Sequence, residues 1–422
     1  MHVTQKRPQE IEIWGGLECT INRVGDDYFD QLEFSGHYER GIHDINLIAT
    51  LGIKMLRYPI LWERSIDNSE QHWHFVKKSL NQLYKHGITP IAGLVHHGSG
   101  PRHVNFFDGS FENGLAVYAK TVAQKFPWLE YYTPVNEPLT TARFCGLYGH
   151  WYPHGKDDYN FYKILLSECR ATVMAMEAIR SVNPNAKLIQ TEDLGKCYST
   201  PLLAYQAQFE NQRRWLSYDL LCGRVNREHY MWGELIKTGI TEEEILYFTD
   251  NPCVPHIAGF NYYITSERYI SEHLSHFPEH YHGGNAFHRY ADVAIDLVRM
   301  EEPCGPGVLL KEAWEHLQLP LAVTECHLNG HCEHQAEWIN HVLHAIKRVK
   351  KEGVDIRALT IWALFGSYGW NCLVTKPYGC YEAGVFDVSS GSPQATALAK
   401  AVQDLVRYKE HRHVEFDKEV MV

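Results

Sequence analysis

The stretch LEYYTPVNEP, residues 129 to 138, joins a short aromatic and apolar run to Asn136, Glu137 and a proline. A run of this length, rich in aromatic and β-branched residues, is typical of a buried strand. The Asn-Glu-Pro sequence that follows favours a turn or the start of a helix. The stretch therefore predicts a strand that carries polar side chains to its carboxyl end and then leads into a helix.

Seven further runs of this kind alternate with helical patterns along the chain. Between them, apolar residues recur at the three-to-four spacing of one-sided helices, most clearly in residues 111–126 and 336–351. Eight strands in strict alternation with helices predict an α/β fold, a single closed (β/α)8 barrel of the TIM type, rather than an open sheet. The predicted strands are residues 12–18, 54–60, 90–97, 129–137, 186–193, 256–263, 320–325 and 358–365.

No linker or change in composition divides the 422 residues. A doubly wound open sheet would normally carry a glycine-rich phosphate loop after an early strand, and none is present. A composition with 45% hydrophobic and 22% charged residues is ordinary for a globular protein and provides for a large core. We therefore expect one catalytic barrel domain over residues 1–422, with its core over roughly residues 11–405.

Charge and the terminal segment restrict the kinds of partner. The net charge of −11 is not gathered into blocks of like charge, which argues against a nucleic-acid partner. Residues 1–14 hold no apolar run of signal-peptide length, and nowhere do 18 apolar residues follow one another, so we expect a cytoplasmic protein outside the membrane. Eleven cysteines without paired spacing predict reduced, mostly buried thiols. The oligomeric state is left open.

Polar and aromatic residues stand at the carboxyl ends of the predicted strands. In a barrel these ends converge on one face, where such folds carry out their chemistry. We expect the long connections at residues 98–110, 139–156, 264–303 and 366–391 to build the pocket over that face. Two converging carboxylates together with aromatic rings fit the hydrolysis of a glycosidic bond. The strand-end residues are Glu18, Arg57, His96, His97, Asn136, Glu137, Glu192, Asp193, Asn261, Tyr263, Glu325 and Trp362.

The segment TECHLNGHCEH, residues 324–334, places cysteines and histidines around Glu325 and so also suggests a zinc site. Its spacing matches no common zinc motif, since CxxC and HExxH are both absent. Strand alternation also turns Cys326 outward when Glu325 points into the barrel. We therefore expect no metal, and we interpret the cysteine and histidines of residues 331–334 as loop and helix-start residues.

Five segments stand at strand ends in an order that resembles a known family. They are similar to motifs of glycoside hydrolase family 1, a clan A family of β-glucosidase and β-galactosidase type, over roughly residues 11–400. One tripeptide would be weak evidence, whereas five in the right order are a specific combination, although the chain also diverges from the family. The segments are TPVNEP (133–138), VTE (323–325), GFNYY (259–263), LRYPILWER (56–64) and IWALFGSYGW (361–370).

The resemblance implies a role for each matching residue, and it implies no cofactor. Glu137 would be the general acid/base and Glu325 the nucleophile, with the pKa of Glu137 raised by the facing charge of Glu325. Asn136 would bind the sugar 2-hydroxyl, and Arg57 and Tyr263 would hold Glu325 ionised and oriented. Further contacts, to sugar hydroxyls, to the nucleophile network or to the pyranose faces, would come from His96, Asn261, Trp362 and Trp370.

The chain departs from the family where the family grips the outer sugar hydroxyls. It has Glu18 where the family has a glutamine near the end of strand one, and Gly369 where the family has a glutamate. Residues 96–98 are His-His-Gly instead of His-Trp-Asp. Glu18 fits either a sugar contact or a buried carboxylate paired with Arg57, and His97 fits either a pocket or a core position.

The favoured hypothesis is a retaining exo-β-glycosidase that acts on a small-molecule glycoside or oligosaccharide. A β-galactoside or a β-glucoside would be the expected substrate, and the long loops favour a pocket for one terminal sugar. The altered residues Glu18 and Gly369 leave a second hypothesis, a barrel that binds carbohydrate without hydrolysing it. A third, metal-dependent hydrolysis on the same barrel, would require bound zinc.

Overall fold

The computed structural model describes residues 10–65, 69–300, 302, 304–377 and 379–407. Eight parallel strands form a closed barrel, because the first strand pairs with both the second and the eighth. The prediction of a (β/α)8 barrel is thereby confirmed. The barrel strands are β1 (Glu12–Gly16), β2 (Met55–Pro59), β3 (Thr89–His96), β4 (Tyr131–Asn136), β5 (Lys187–Asp193), β6 (Ile257–Tyr262), β7 (Leu321–Cys326) and β8 (Ile356–Ile361).

Helices connect the strands on the outside of the barrel, and the last described segment, residues 397–407, is also helical. The helix at Cys332–Lys351 shows why the pattern folds in this way, since its buried residues recur every three or four positions along one face. The helices are α1 (Gln31–Phe34), α2 (His37–Thr50), α3 (Ser69–Lys85), α4 (Ser110–Lys125), α5 (Pro138–Ala142), α6 (Asp158–Arg180), α7 (Ala204–Arg213), α8 (Leu216–Leu221), α9 (Trp232–Lys237), α10 (Glu242–Asp250), α11 (Pro306–Leu317) and α12 (Cys332–Lys351).

Barrel strands are covered on both faces, which is why they read as near-continuous apolar runs in the sequence. Every residue of β6 and of β7 is buried. Inside the barrel, toward the amino ends of the strands, apolar side chains form a separate packed cluster, so the interior is filled below the site. That cluster consists of Trp14, Ile91, Ile189, Ile257, Ala322 and Ala358.

The eight predicted strands match the observed ones apart from their ends. The largest difference is at β8, predicted over 358–365 but observed over Ile356–Ile361. The chain leaves the barrel sheet at Trp362, because the following residues turn to pair with Gly16 and with residues 385–386 instead of continuing the ladder. Trp362 consequently lies just beyond the strand.

The long connection of residues 264–303 contains structure that the sequence did not predict. Three of its segments, Glu267–Ser271, His282–Gly284 and Arg289–Ala294, form a sheet with Lys196–Ser199 from the connection after β5. A small apolar cluster that includes Ile270 packs beneath that sheet. The connection is therefore a folded wall beside the carboxyl face of the barrel.

Two further observations bear on the predictions made from composition. All eleven cysteines are free, and most of them are buried. Of the helices in the described part of the chain, none combines the length and apolar character needed to cross a membrane.

Candidate active site

Glu137 and Glu325 come from strand ends in different parts of the barrel and share one buried site. Glu137 follows β4 in a left-handed conformation (φ 47°), so that the backbone turns sharply before α5 begins. Glu325 lies within β7. Only 5% of Glu137 and 2% of Glu325 are exposed. The ends of β4 and β7 thus bring the two carboxylates into one site, and the contacts described next hold them there.

Asn261 on β6 links the Glu137 carboxyl to the residue before Glu325. Its Nδ2 donates to Glu137 Oε1 at 2.7 Å, and its Oδ1 accepts from Thr324 Oγ1, also at 2.7 Å. Thr324 immediately precedes Glu325 in the chain. As the structure places it, the amide turns Oδ1 to the Thr324 hydroxyl and Nδ2 to the Glu137 carboxyl.

Glu325 is held by a cation and a phenol. Arg57 Nη1 lies 2.7 Å from Glu325 Oε1 and also donates to the Thr324 carbonyl at 2.8 Å. Tyr263 OH donates to the other carboxylate oxygen, Oε2. His96 Nε2 lies 4.0 Å from Glu325 Oε1. Burial raises the pKa of Glu325 to about 7, while Arg57 and Tyr263 act in the opposite direction.

Glu137 holds its proton more strongly than Glu325 does. Burial raises the pKa of Glu137 well above its usual range, and the charge of Glu325 raises it further, followed by the charges of Asp193 and Glu192. No cation is among the main influences on this carboxyl, whereas Glu325 has Arg57. The surroundings therefore favour the charged form more at Glu325 than at Glu137.

Asn136 lies between Arg57 and the two histidines at the end of β3. Its Oδ1 accepts from Arg57 Nη2 at 2.6 Å and from Thr191 Oγ1 at 2.8 Å. Its Nδ2 consequently faces His96 Nε2 at 3.3 Å and His97 Nε2 at 3.4 Å. One guanidinium thus orients both the candidate nucleophile and the candidate sugar-binding amide.

Glu192, at the end of β5, supports the segment that carries Glu137. Its carboxylate accepts from the backbone N–H groups of Leu139 and Thr140 and from Ser217 Oγ. These bonds anchor α5 immediately after Glu137. Burial raises the pKa of Glu192 to about 7, with the N–H of Leu139 lowering it. The strand-end pattern drew attention to Glu192, but its contact with α5 could not be read from the sequence.

The aromatic residues form a floor and a wall. Trp362 stacks on His96, with ring centroids 5.5 Å apart. The Arg57 guanidinium lies 4.7 Å from the centroid of the Trp362 ring. Trp362 therefore forms the packed floor of the site. Trp370 meets His97 edge-on at 5.9 Å and lies 6.4 Å from Trp151. Trp151 was not singled out from the sequence, because it lies inside a loop rather than at a strand end.

The sequence matches the model of Glycosyl hydrolase family 1 over residues 19–389. The chain belongs to glycosyl hydrolase family 1. Among its relatives, "Beta-glucosidase 47" of Arabidopsis thaliana is 22% identical over 410 residues, which cover 86% of this chain and 74% of the relative. The "Aryl-phospho-beta-D-glucosidase BglH" of Bacillus subtilis (strain 168) is 25% identical over 325 residues, or 71% of this chain and 66% of that protein.

A solved structure gives the same fold. The family 1 β-glucosidase from Thermotoga maritima superposes with a TM-score of 0.77 at 16% identity, covering 95% of this chain and 99% of that one. The predicted resemblance to family 1 is thereby confirmed, and the protein is a glycoside hydrolase of the β-glucosidase-like kind.

In this family 1 chain, Glu18 is a buried carboxylate without a direct ion pair to Arg57. Its Oε1 accepts from the N–H and hydroxyl of Thr20 at 3.0 and 2.7 Å, and its Oε2 accepts from Trp362 Nε1 at 3.3 Å. The guanidinium nitrogens of Arg57 are directed instead to Glu325, Thr324 and Asn136. The interpretation of Glu18 as a partner of Arg57 is therefore wrong, because nearer acceptors occupy the arginine.

Gly369 begins a tight turn rather than presenting a side chain to the site. Its φ of 81° lies in the left-handed region that favours glycine. The turn leads to Leu373 and Val374, whose carbonyls accept from Trp151 Nε1 at 2.7 Å and from Asn22 Nδ2 at 2.8 Å. Residues 369–374 thus form a strap that is fixed to the loops after β4 and β1, which the sequence did not predict.

The third departure, Gly98, makes room for a carboxylate from another loop. A Cβ at residue 98 would collide with the Glu63 carboxylate and would lie 2.9 Å from the Ile21 carbonyl. Glu63 accepts from the N–H of Gly100 at 3.1 Å. It also lines a cavity of about 380 Å³ between the loops after β1, β2 and β3. The loops on this side of the face therefore pack around Glu63.

The cysteines and histidines near Glu325 do not gather into a cluster. Cys326 is fully buried and packs into the core shared with the helices, as strand alternation predicts. Cys332 begins α12, while His331 and His334 are exposed. Over the part of the chain that the structure describes, no group of three or more Cys, His, Asp or Glu side chains is arranged to hold a metal.

Substitution of Arg57 by methionine is expected to shift the acid limb of the kcat/KM profile to higher pH. The guanidinium lowers the pKa of Glu325, so its loss lets Glu325 keep its proton at neutral pH. Loss of one partner of a buried ion pair should also cost about 3–5 kcal/mol of stability. The folded variant binds that proton more tightly than the unfolded chain, so its stability should fall as pH rises through neutrality.

The measurements are pH-rate profiles and urea unfolding at several pH values. Arg57→Lys is the matched control, because it keeps the charge but cannot bridge Glu325 and Asn136 in the same way. An acid limb at the same pH in Arg57→Met would show that Arg57 does not govern the ionisation of Glu325.

Proposed function

We propose that the protein is a retaining exo-β-glycosidase that removes a terminal β-linked sugar by double displacement, within one catalytic barrel domain. The observation that carries the proposal is the asymmetry of the two buried carboxyls. Glu325 is ion-paired with Arg57 at 2.7 Å, whereas the strongest influences on Glu137 all hold its proton in place. Such an arrangement suits attack by one carboxylate and proton donation by the other.

In the first step, a carboxylate oxygen of Glu325 attacks the anomeric carbon. The bond from that carbon to the glycosidic oxygen breaks, its electron pair goes to the leaving oxygen, and Glu137 protonates that oxygen. The products are a glycosyl ester on Glu325 and the free aglycone. Asn136, whose amide is oriented by Arg57 and Thr191, is placed to bind the 2-hydroxyl, a contact that strengthens in the transition state.

In the second step, Glu137 acts as a base. Once Glu325 is esterified, its charge no longer raises the pKa of Glu137, so the ionised carboxylate persists long enough to accept a proton from water. The water oxygen attacks the anomeric carbon and the ester bond to Glu325 breaks. The sugar leaves with its original configuration and Glu137 regains its proton. No cofactor takes part in either step.

The shape of the site supports action on a chain end. The strap of residues 369–374 is bonded to Trp151 and Asn22, and the sheet at 267–294 stands at another side of the same face. Such walls favour a closed pocket over an open groove. Two relatives are named as a β-glucosidase and an aryl-phospho-β-D-glucosidase, which supports β-glucosides, with β-galactosides as the neighbouring choice.

A panel of nitrophenyl β-glycosides tests the proposal. We expect release of nitrophenol from the β-glucoside or β-galactoside, none from the α-anomers, and a β-configured sugar as the first product seen by NMR. The panel should include the unphosphorylated and 6-phosphorylated glucosides. A first product of inverted configuration would contradict the double displacement, and turnover only of internal linkages would contradict exo action.

A further inference from the structure

His97 lies beside the acid/base carboxyl. Its Nε2 is 3.5 Å from Glu137 Oε2, and the ring is almost completely buried. The ring is enclosed by His96 at 4.9 Å, Trp151 at 5.4 Å and Trp370 at 5.9 Å between centroids. The effect of His97 on the proton of Glu137 depends on whether the nearby Nε2 carries a hydrogen or a lone pair.

The orientation of the Asn136 amide indicates whether His97 Nε2 carries a hydrogen. Because Asn136 Oδ1 accepts from Arg57 and Thr191, its Nδ2 must be the end that faces the histidines. An NH₂ group has two hydrogens, and Nδ2 lies 3.3 Å from His96 Nε2 and 3.4 Å from His97 Nε2. Both Nε2 atoms are therefore acceptors, so each neutral ring carries its hydrogen on Nδ1.

The other side of His97 agrees with this assignment. His97 Nδ1 lies 2.8 Å from Thr141 Oγ1, and the Thr141 hydroxyl in turn donates to the Asn136 carbonyl at 3.4 Å. A hydroxyl that donates to the carbonyl is free to accept from Nδ1–H. The Thr141 contact is compatible with the tautomer that Asn136 indicates, in which an unprotonated Nε2 is directed at the acid/base carboxyl.

The two oxygens of Glu137 are also distinguishable. Oε1 accepts from Asn261 Nδ2 at 2.7 Å, while Asn261 Oδ1 is turned to the Thr324 hydroxyl. An oxygen that accepts a short bond from an amide N–H is the poorer site for a proton. Oε2 is the better one, since it lies 3.5 Å from His97 Nε2, whose single lone pair is shared with the Asn136 N–H and would repel an ionised Oε2.

We propose that His97 is a positioning residue that holds the acid proton of Glu137 on Oε2. This proposal rests on the proposed function. In the first step, the Oε2–H bond breaks as the leaving oxygen takes the proton, and His97 remains neutral throughout. In the second step, the ionised Oε2 receives no hydrogen bond from His97 and so accepts the proton of water readily.

The charged groups that face the pair are consistent with this role. Glu137 faces the acids Glu325, Asp193 and Glu192, which all favour its protonated form. Burial, and then the charge of Arg57, lower the pKa of His97 to about 3. Both effects keep the imidazole neutral near pH 7.

The test compares His97→Phe with His97→Gln by pH-rate profiles. Phenylalanine keeps a ring but offers no acceptor, so the protonated form of Glu137 loses a partner and its pKa falls. We expect the basic limb of kcat/KM to move down by about 0.5–1 pH unit with a poor leaving group. Glutamine retains an acceptor oxygen and should restore the limb. With a dinitrophenyl leaving group, which needs little protonation, the shift of the basic limb between variant and wild type should disappear.

Thr141→Val provides a second variant that keeps the size of the side chain. It removes the acceptor of Nδ1–H and should shift the limb in the same direction by less. An unshifted basic limb in His97→Phe, or one shifted to higher pH, would overturn the proposal, since the latter requires a donor on Nε2.

Nitrogen NMR of histidine-labelled wild-type protein gives a readout independent of turnover. We expect His97 as the neutral Nδ1–H tautomer, and an Nε2–H tautomer would overturn the proposal even in an active enzyme. Failure of the proposed function would appear differently, as absence of turnover by the wild-type protein on the whole glycoside panel. The two failures are therefore distinguishable.

Discussion

Replacing Glu325 with glycine is expected to abolish hydrolysis, and added azide is expected to restore turnover with formation of the α-glycosyl azide. Loss of the nucleophile should lower kcat by about 10⁴-fold or more, the order of effect seen when the attacking group of a covalent mechanism is removed. The space left by the side chain admits azide to the face from which Glu325 would attack. A single displacement from that face inverts the anomeric centre.

Glu325→Gln is the matched control, because it fills the same space without a nucleophilic carboxylate and should show no rescue by azide. Arg57 loses its ion-pair partner in both variants, so thermal unfolding should confirm that each is folded before its activity is compared. Hydrolysis by Glu325→Gly near the wild-type rate would remove Glu325 from the role of nucleophile. A β-configured azide product would assign the attack to another group.

Replacing Glu137 with alanine is expected to produce a loss that depends on the leaving group. A general acid contributes about 10²–10⁴-fold, and that full loss should appear with alkyl glycosides or unactivated phenols. With a dinitrophenyl leaving group, which departs without a proton, formation of the glycosyl ester should stay fast. The second step lacks its base, so the ester should accumulate and give a burst of dinitrophenol.

Azide distinguishes this variant from the first. It should react with the accumulated ester on Glu325 and yield the β-glycosyl azide, because two inversions restore the configuration. Mass spectrometry of the intact protein would show the ester directly. Glu192→Gln, which alters the carboxylate anchoring α5, is a useful comparison, since α5 directly follows Glu137 and the same dependence on the leaving group should appear in weaker form. Equal losses across leaving groups in Glu137→Ala would contradict its role as the acid.

Much of this fold follows from local pattern. Buried parallel strands give apolar runs and amphipathic helices give three-to-four spacing, so alternation alone indicated the barrel. The strand ends were less certain, as at β8, because the residue at which a chain leaves a sheet depends on tertiary pairing. The sheet built from Glu267–Ser271 and Arg289–Ala294 was missed since its short strands carry mixed polar residues without a clear period.

The site was predictable where chemistry and position coincide. Glu137, Glu325, Arg57 and Tyr263 stand at strand ends, which barrel geometry brings to one face. The contacts of Arg57 and Tyr263 with Glu325 were implied by the family resemblance. The predicted pairing of Glu18 with Arg57 did not form, because the guanidinium donates to Glu325, to the Thr324 carbonyl and to Asn136. Trp151 and the strap at 369–374 were not foreseen, since loop conformation is set by long-range packing rather than by local sequence.

The bond between Arg57 and Glu325 joins positions 268 residues apart, and it has a consequence for how the enzyme matures. A chain emerging from the ribosome cannot complete this bond until β7 has been made, and the cylinder closes only when β8 inserts between β7 and β1. Contacts of such sequence separation form late, because loop closure must precede them. Catalytic competence is therefore among the last properties the nascent chain acquires, well after its local helices.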